Sequence, residues 1–221
     1  MTEIRTVLFD LDGTLADTAP DMAHALNLLL REKGCNPLPF DVIRPNVSHG
    51  ALALVRLGFA LAPGDAAIEP LRQRFLEIYA DNLFRETRLF PGIPPLLEAL
   101  TARGLNWGIV TNKPSYLTEP LVAELGLAHA PVCIVSGDTT KNRKPHPEPM
   151  LHACTQAGST PAQCIYVGDA ERDIQAGKQA GMKTLVALFG YIREDEYPEQ
   201  WGADTLIRAP MEVIDWLEAH E

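Results

Sequence analysis

The chain opens on a short unbroken apolar run, Thr6-Val7-Leu8-Phe9, that stops at Asp10. A continuous β-branched and aromatic run closed by polar residues and glycine predicts a parallel strand buried on both faces. Similar runs recur at 106–110, 132–135, 164–167 and 183–188. Between most of them the apolar spacing turns helical. The stretch 119–125 stops at Gly126, 147–157 at Gly158 and 174–180 at Gly181. Glycine just past the last periodic residue is the expected helix stop. Strands alternating with helices imply βαβ units, hence an α/β fold with a mainly parallel sheet covered on both faces.

One stretch breaks the alternation. From about residue 16 to about residue 88 no strand pattern is found. Met22, Ala25, Leu26, Leu29 and Leu30 form a helical stripe over 21–32, closed by Gly34. Residues 51–59 and 70–83 also carry helical spacing. The pattern predicts an all-helical insert of roughly 70 residues. Its expected boundaries lie at 15–18 and 87–91. That divides the chain into a core of 1–15 with 89–221 and an insert of 16–88. Pro91-Gly92-Ile93-Pro94-Pro95 reads as a turn followed by a helix start.

Composition narrows the function classes. Of 221 residues, 46% are apolar and 22% charged, as in an ordinary globular protein, so no disulfide or metal staple is needed to build a core. Acidic residues outnumber basic ones, 29 to 19, for a net charge of −10. That argues against nucleic acid and against an anionic membrane surface as partners. An anionic substrate must then be held by local groups against the overall field. Cys35, Cys133, Cys154 and Cys164 form no C-x-x-C pair and read as reduced thiols. The opening MTEIRTVLFD has too short an apolar run for a signal peptide, and no stretch approaches the roughly 18 apolar residues of a membrane span, so a cytoplasmic protein is expected. The oligomeric state is left open.

Four groups of residues carry candidate chemistry. Asp10 and Asp12 follow the first strand, and in open α/β sheets ligands bind at the carboxyl ends of strands. Two carboxylates there can hold a hard cation such as Mg²⁺, or divide nucleophilic attack from proton transfer. A plain Asp-Gly turn is the competing explanation. Thr111-Asn112 follows the strand at 106–110, where a hydroxyl and backbone N–H groups can hold phosphate oxygens; taken alone, the pair is more often a turn or helix cap. Lys144 sits between Arg143 and Pro145, in a segment stiffened by Pro145 and Pro147. A rigid ammonium there can neutralise a nucleophile and a phosphoryl group, although most lysines are simply solvated. Gly168-Asp169-Ala170-Glu171-Arg172-Asp173 follows the strand at 164–167. Asp169 would reach the same sheet mouth. Asp173, one turn into the next helix, either supports the site or is an acidic helix start.

The ordered set D-x-D, T-N, K-P and G-D-x-x-x-D resembles the haloacid dehalogenase superfamily, in the form with a helical cap inserted after the first motif, over essentially the whole chain. The resemblance implies a Rossmann-like core and the following roles. Asp10 is the nucleophile and forms an aspartyl-phosphate. Asp12 is general acid for the leaving alcohol and then base for water. Thr111 and the Asn112 backbone bind phosphate, and Lys144 stabilises charge. Mg²⁺ is held by the Asp10 carboxylate, the Asp12 backbone carbonyl and Asp169, with Asp173 in support. Many relatives carry Ser or Thr where this chain has Ala170, so one hydroxyl near the metal is missing.

Asp12 sets the chain apart from the dehalogenase branch, whose leaving halide needs no proton. The stretch DLDGTLADTAPD is similar to phosphoglycolate phosphatases. The segment at 47–51 and the tail from Gly190 to Asp204 are similar to a neighbouring group that removes phosphate from N-acetylmuramic acid 6-phosphate in cell-wall recycling. The partner implied is a small phosphorylated metabolite, with phosphoglycolate first and the muramic acid ester second. A sugar phosphomutase and a non-catalytic phosphate-sensing module on the same fold are the remaining alternatives. Ser48, His49 and Arg44 are the candidates for contacting the leaving group; each has a plainer explanation as a turn, loop or surface residue.

Overall fold

The computed structural model describes residues 3–220. In chain order the strands are β1 (Thr6–Phe9), β2 (Ala16–Asp17), β3 (Arg88–Leu89), β4 (Asn106–Val110), β5 (Ile134–Val135), β6 (Cys164–Gly168), β7 (Lys183–Ala187) and β8 (Thr205–Ile207). The helices are α1 (Ala19–Glu32), α2 (Phe40–Ile43), α3 (Gly50–Phe59), α4 (Ile68–Ala80), α5 (Ile93–Ala102), α6 (Ser115–Glu124), α7 (Glu148–Ala157), α8 (Glu171–Ala180) and α9 (Glu212–Glu218).

The main sheet has six parallel strands in the order β5-β4-β1-β6-β7-β8. The chain starts at the centre in β1, moves to β4 and β5 on one side, and returns to β6, β7 and β8 on the other. β1 therefore lies between the two strands whose ends carry the other motifs. Its four residues are all buried, because both faces are covered. Val7 and Phe9 join the larger core with Trp107, Ile109, Ile165 and Val167, while Leu8 faces the second cluster with Val110, Tyr166, Met150 and Ala176. The period-two alternation of side chains divides one apolar run between two cores.

Between β2 and β3 the chain is helical, with α1, α3 and α4 packed on one another and a 3-10 turn at Arg44–His49. The region read as strandless begins and ends on two-residue strands that pair antiparallel, Ala16 with Leu89 and Asp17 with Arg88. Strands so short show no periodicity to read. The return to β3 is held by Asp21, a buried carboxylate in the first turn of α1. It accepts the backbone N–H groups of Arg85 (3.0 Å), Glu86 (2.9 Å) and Thr87 (3.0 Å) and the Thr87 hydroxyl (2.8 Å). Elsewhere the expected elements differ at their ends. Helix α6 starts at Ser115, earlier than the 119–125 periodicity, and contains Pro120. β5 is shorter than expected at its start, and β8 was not anticipated. No helix among the described residues is long and apolar enough to cross a membrane.

Candidate active site

Three strand ends converge. Asp10 follows β1, Thr111 follows β4 and Asp169 follows β6, and all three are buried. Gly13 explains how the loop after β1 passes so close to Asp169. Its φ is 83°, and an added Cβ would collide with the Asp169 carboxylate.

Lys144 is the hub. Its side chain is fully buried, and Nζ lies 3.0 Å from Asp10 Oδ1 and 2.8 Å from Asp173 Oδ1. It also donates to the Val110 carbonyl (2.9 Å) and the Tyr166 hydroxyl (2.7 Å). The Asn112 side chain fixes the Lys144 backbone from both sides: Oδ1 accepts its N–H at 3.0 Å and Nδ2 donates to its carbonyl at 2.9 Å. The T-N pair and the K-P segment, far apart in sequence, are thus one unit. Thr111 accepts the Lys113 N–H at 3.2 Å and keeps its hydroxyl proton to donate.

Asp10, Asp169 and Asp173 each place a carboxylate oxygen within 4.8 Å of the others. Asp169 is pushed up to about 7, first by burial and then by the charges of Asp10 and Asp173. Burial likewise raises Asp173, against the pull of Lys144. Asp173 Oδ1 pairs with Lys144, and Oδ2 accepts the Ala170 N–H at 3.0 Å, closing the start of α8 without a hydroxyl at residue 170. Three crowded, buried carboxylate oxygens form a hard-oxygen donor set that fits Mg²⁺. The Asp12 carboxylate is not part of this cluster. It accepts the Thr18 hydroxyl at 2.7 Å and Lys113 Nζ at 2.9 and 3.1 Å. Any role of Asp12 toward a metal falls to its backbone carbonyl.

A cavity of about 470 Å³ opens over these groups. Asp10, Asp12, Thr111 and Asn112 line its floor, and Met22, Val47, Ser48, His49, Leu76 and Tyr79 of the helical insert line its roof. Ser48 donates to Asp169 Oδ2 at 2.5 Å, so this insert hydroxyl is engaged with the carboxylate cluster. His49 lies 3.2 Å from Glu196, and burial, together with the charges of Arg193 and Arg172, holds its pKa below the usual imidazole value against the pull of Glu196. Arg44, expected to contact the leaving group, does not line the cavity. Its guanidinium binds both oxygens of Asp17 at 2.7 and 2.9 Å and lies 4.8 Å from the Tyr191 ring centroid. It fastens the turn at Arg44–His49 to the insert's entry instead.

Other cavity residues carried no sequence signal strong enough to single them out. Arg172, inside G-D-x-x-x-D, and Arg143, beside Lys144, supply positive charge to the wall. Lys113 directly follows Thr111-Asn112. Tyr79 lay hidden in the stripe of α4, and Tyr166, which touches Lys144 beneath the cavity rather than lining it, in the apolar run of β6.

A parallel α/β sheet whose central strand ends gather buried carboxylates around a buried lysine defines a Rossmann-like enzyme. The chain belongs to the haloacid dehalogenase-like hydrolases, whose family model matches residues 7–187. It is 41% identical over 215 residues to the N-acetylmuramic acid 6-phosphate phosphatase of Pseudomonas aeruginosa, covering 97% of this chain and 95% of that one. It is 43% identical over 209 residues to the phosphoglycolate phosphatase of Xanthomonas campestris pv. campestris, covering 95% and 94%. The crystal structure of a predicted phosphoglycolate phosphatase from Haemophilus somnus superposes with a TM-score of 0.85 at 27% identity, covering 98% and 99%.

Proposed function

We propose that this hydrolase is a Mg²⁺-dependent phosphatase of small organic phosphomonoesters that works through a phosphorylated Asp10. The observation that carries this reading is the placement of Lys144 between Asp10 and Asp173 beside Asp169. A buried carboxylate in contact with a fixed ammonium can approach a phosphorus atom, because the lysine offsets repulsion between two anions.

In the first step an Asp10 carboxylate oxygen bonds to phosphorus as the bond to the alcohol oxygen breaks. Asp12 gives that oxygen its proton. In the second step water bonds to phosphorus, the Asp10–phosphorus bond breaks and Asp12 takes the proton from water. Thr111 and the Asn112 backbone N–H hold the non-bridging oxygens. Asp10, Asp169 and the Asp12 carbonyl would hold Mg²⁺, with Asp173 in support. Bound there, the ion supplies charge neutralisation for the phosphoryl group and orientation for in-line displacement. Residues 16–88 act as a cap whose seating on the core excludes bulk water.

Phosphoglycolate is the first substrate to test. Arg143 and Arg172 in the wall suit a leaving group that carries a carboxylate. One observation favours a second ester for the same site. A cavity of about 470 Å³ with Met22, Val47, Leu76 and Leu117 in its lining has room for a sugar, which supports N-acetylmuramic acid 6-phosphate. Phosphate release from the two esters, measured side by side with Mg²⁺ and with Asp10→Asn as control, decides between them. A kcat/KM ratio of about 100 or more, some 3 kcal/mol of differential binding, identifies the substrate. No Mg²⁺-dependent release from either ester refutes the reading.

A further inference from the structure

Lys113 has no part in the chemistry set out above, yet it and Lys144 are the two buried lysines among the described residues. Its ammonium donates to Asp12 Oδ1 (2.9 Å), Asp12 Oδ2 (3.1 Å) and the hydroxyl of Tyr79 (3.0 Å). Three N–H groups meet three oxygens, which leaves none directed at a phosphate. Thr18 holds Asp12 Oδ1 from the opposite side at 2.7 Å. Tyr79 belongs to α4, is itself buried, and stacks on Phe75 with ring planes 13° apart. Burial disfavours the Lys113 ammonium, but Asp12 and Tyr79 outweigh it and hold its pKa above the usual lysine range. The Asp12 carboxyl group therefore has its direction fixed by a core loop and by a helix of the insert at once.

We propose that Lys113 and Tyr79 are positioning residues for Asp12: they set the direction from which its carboxyl group meets the leaving oxygen, and they tie that direction to the seating of α4 on the core. The proposal rests on the proton-transfer role given to Asp12 above. General acid catalysis contributes about 10²–10⁴-fold, and a misplacement of about 1 Å can cost about 100-fold. The loss must then depend on how badly the leaving oxygen needs a proton. An alkoxide needs one; 4-nitrophenolate leaves without it.

The test compares kcat/KM, which reports the steps up to phosphorylation of Asp10, for the better of the two alkyl esters and for 4-nitrophenyl phosphate. Lys113→Met is expected to lower the alkyl value about 30–100-fold and the nitrophenyl value less than about 5-fold. Tyr79→Phe keeps the buried ring and gives the same split at about 3–10-fold, so the test survives if the lysine variant fails to fold. In an Asp12→Ala background, Lys113→Met adds less than about 3-fold, because residues acting as a unit are not additive. Equal losses on the two esters, or losses that multiply in that background, overturn the proposal; they would mark Lys113 as a structural or phosphate-binding cation. If Asp12→Ala itself shows no difference between the esters, the acid role of Asp12 falls, and the positioning role falls with it.

Discussion

Asp21→Asn removes one charge and replaces one acceptor oxygen by a donor, at a site where four donors from residues 85–87 converge on a buried carboxylate. The amide fits best with its oxygen in the Oδ2 position, where it still accepts from Arg85, Thr87 N–H and the Thr87 hydroxyl. Its NH₂ then faces the Glu86 N–H, which loses its 2.9 Å acceptor and keeps only the 3.2 Å contact with the oxygen. Four hydrogen bonds lose their charge assistance and that of Glu86 also lengthens, a cost of about 2–4 kcal/mol. For a chain of this size that lowers Tm by roughly 5–15 °C. Thermal unfolding followed by circular dichroism, wild type against Asp21→Asn and Asp21→Ala, reads the effect, with the alanine variant the worse of the two. A Tm within about 2 °C of wild type for Asp21→Asn would refute the claim that this carboxylate anchors the return of the helical insert to the sheet.

Four further outcomes follow from the same structure. Lys144→Met leaves Asp10 and Asp173 without their shared cation, so turnover falls by about 10³-fold or more, and urea unfolding shows a loss of about 3–5 kcal/mol. Arg44→Met breaks a half-exposed pair with Asp17, so stability falls by at most about 1 kcal/mol, and KM for the substrate stays within about 2-fold of wild type. In Mg²⁺-free protein Asp169 binds its proton more tightly folded than unfolded. Its contribution to stability is complete below its ordinary value of 3.8 and is lost as pH rises through about 7, so melting of the metal-free protein falls between pH 6 and pH 8. Added Mg²⁺ must compete with that proton and therefore raises Tm more at pH 8 than at pH 6; a shift independent of pH would count against the cluster as the metal site.

The legible parts of the sequence were those where one physical cause acts locally. The central strands of the parallel sheet announced themselves because burial on both faces leaves uninterrupted apolar runs, as in Thr6–Phe9 and Cys164–Gly168, whereas the half-buried edge strand β8 did not. The glycines after α7 and α8 marked helix ends because Gly158 and Gly181 take positive φ. Candidate chemistry was readable where it followed directly on a strand. Contacts set by the tertiary structure were not. Nothing in the residue type of Arg44 distinguishes a substrate contact from a clamp on Asp17, and Tyr166 reads as one more apolar strand residue until its hydroxyl is seen on Lys144. Tyr79 and Lys113 meet only because the insert lies over the sheet mouth. The pairing of β2 with β3 involves two residues on each side, too few for any periodicity.

The most direct test of the account is to ask where the phosphoryl group goes. The enzyme, mixed with Mg²⁺ and an ester radiolabelled in its phosphate, is quenched in acid within milliseconds, digested and mapped. The account predicts label on the peptide that contains Asp10, discharged by hydroxylamine and absent from Asp10→Asn. Rapid turnover with no label on the protein, or with label on another residue, would contradict it.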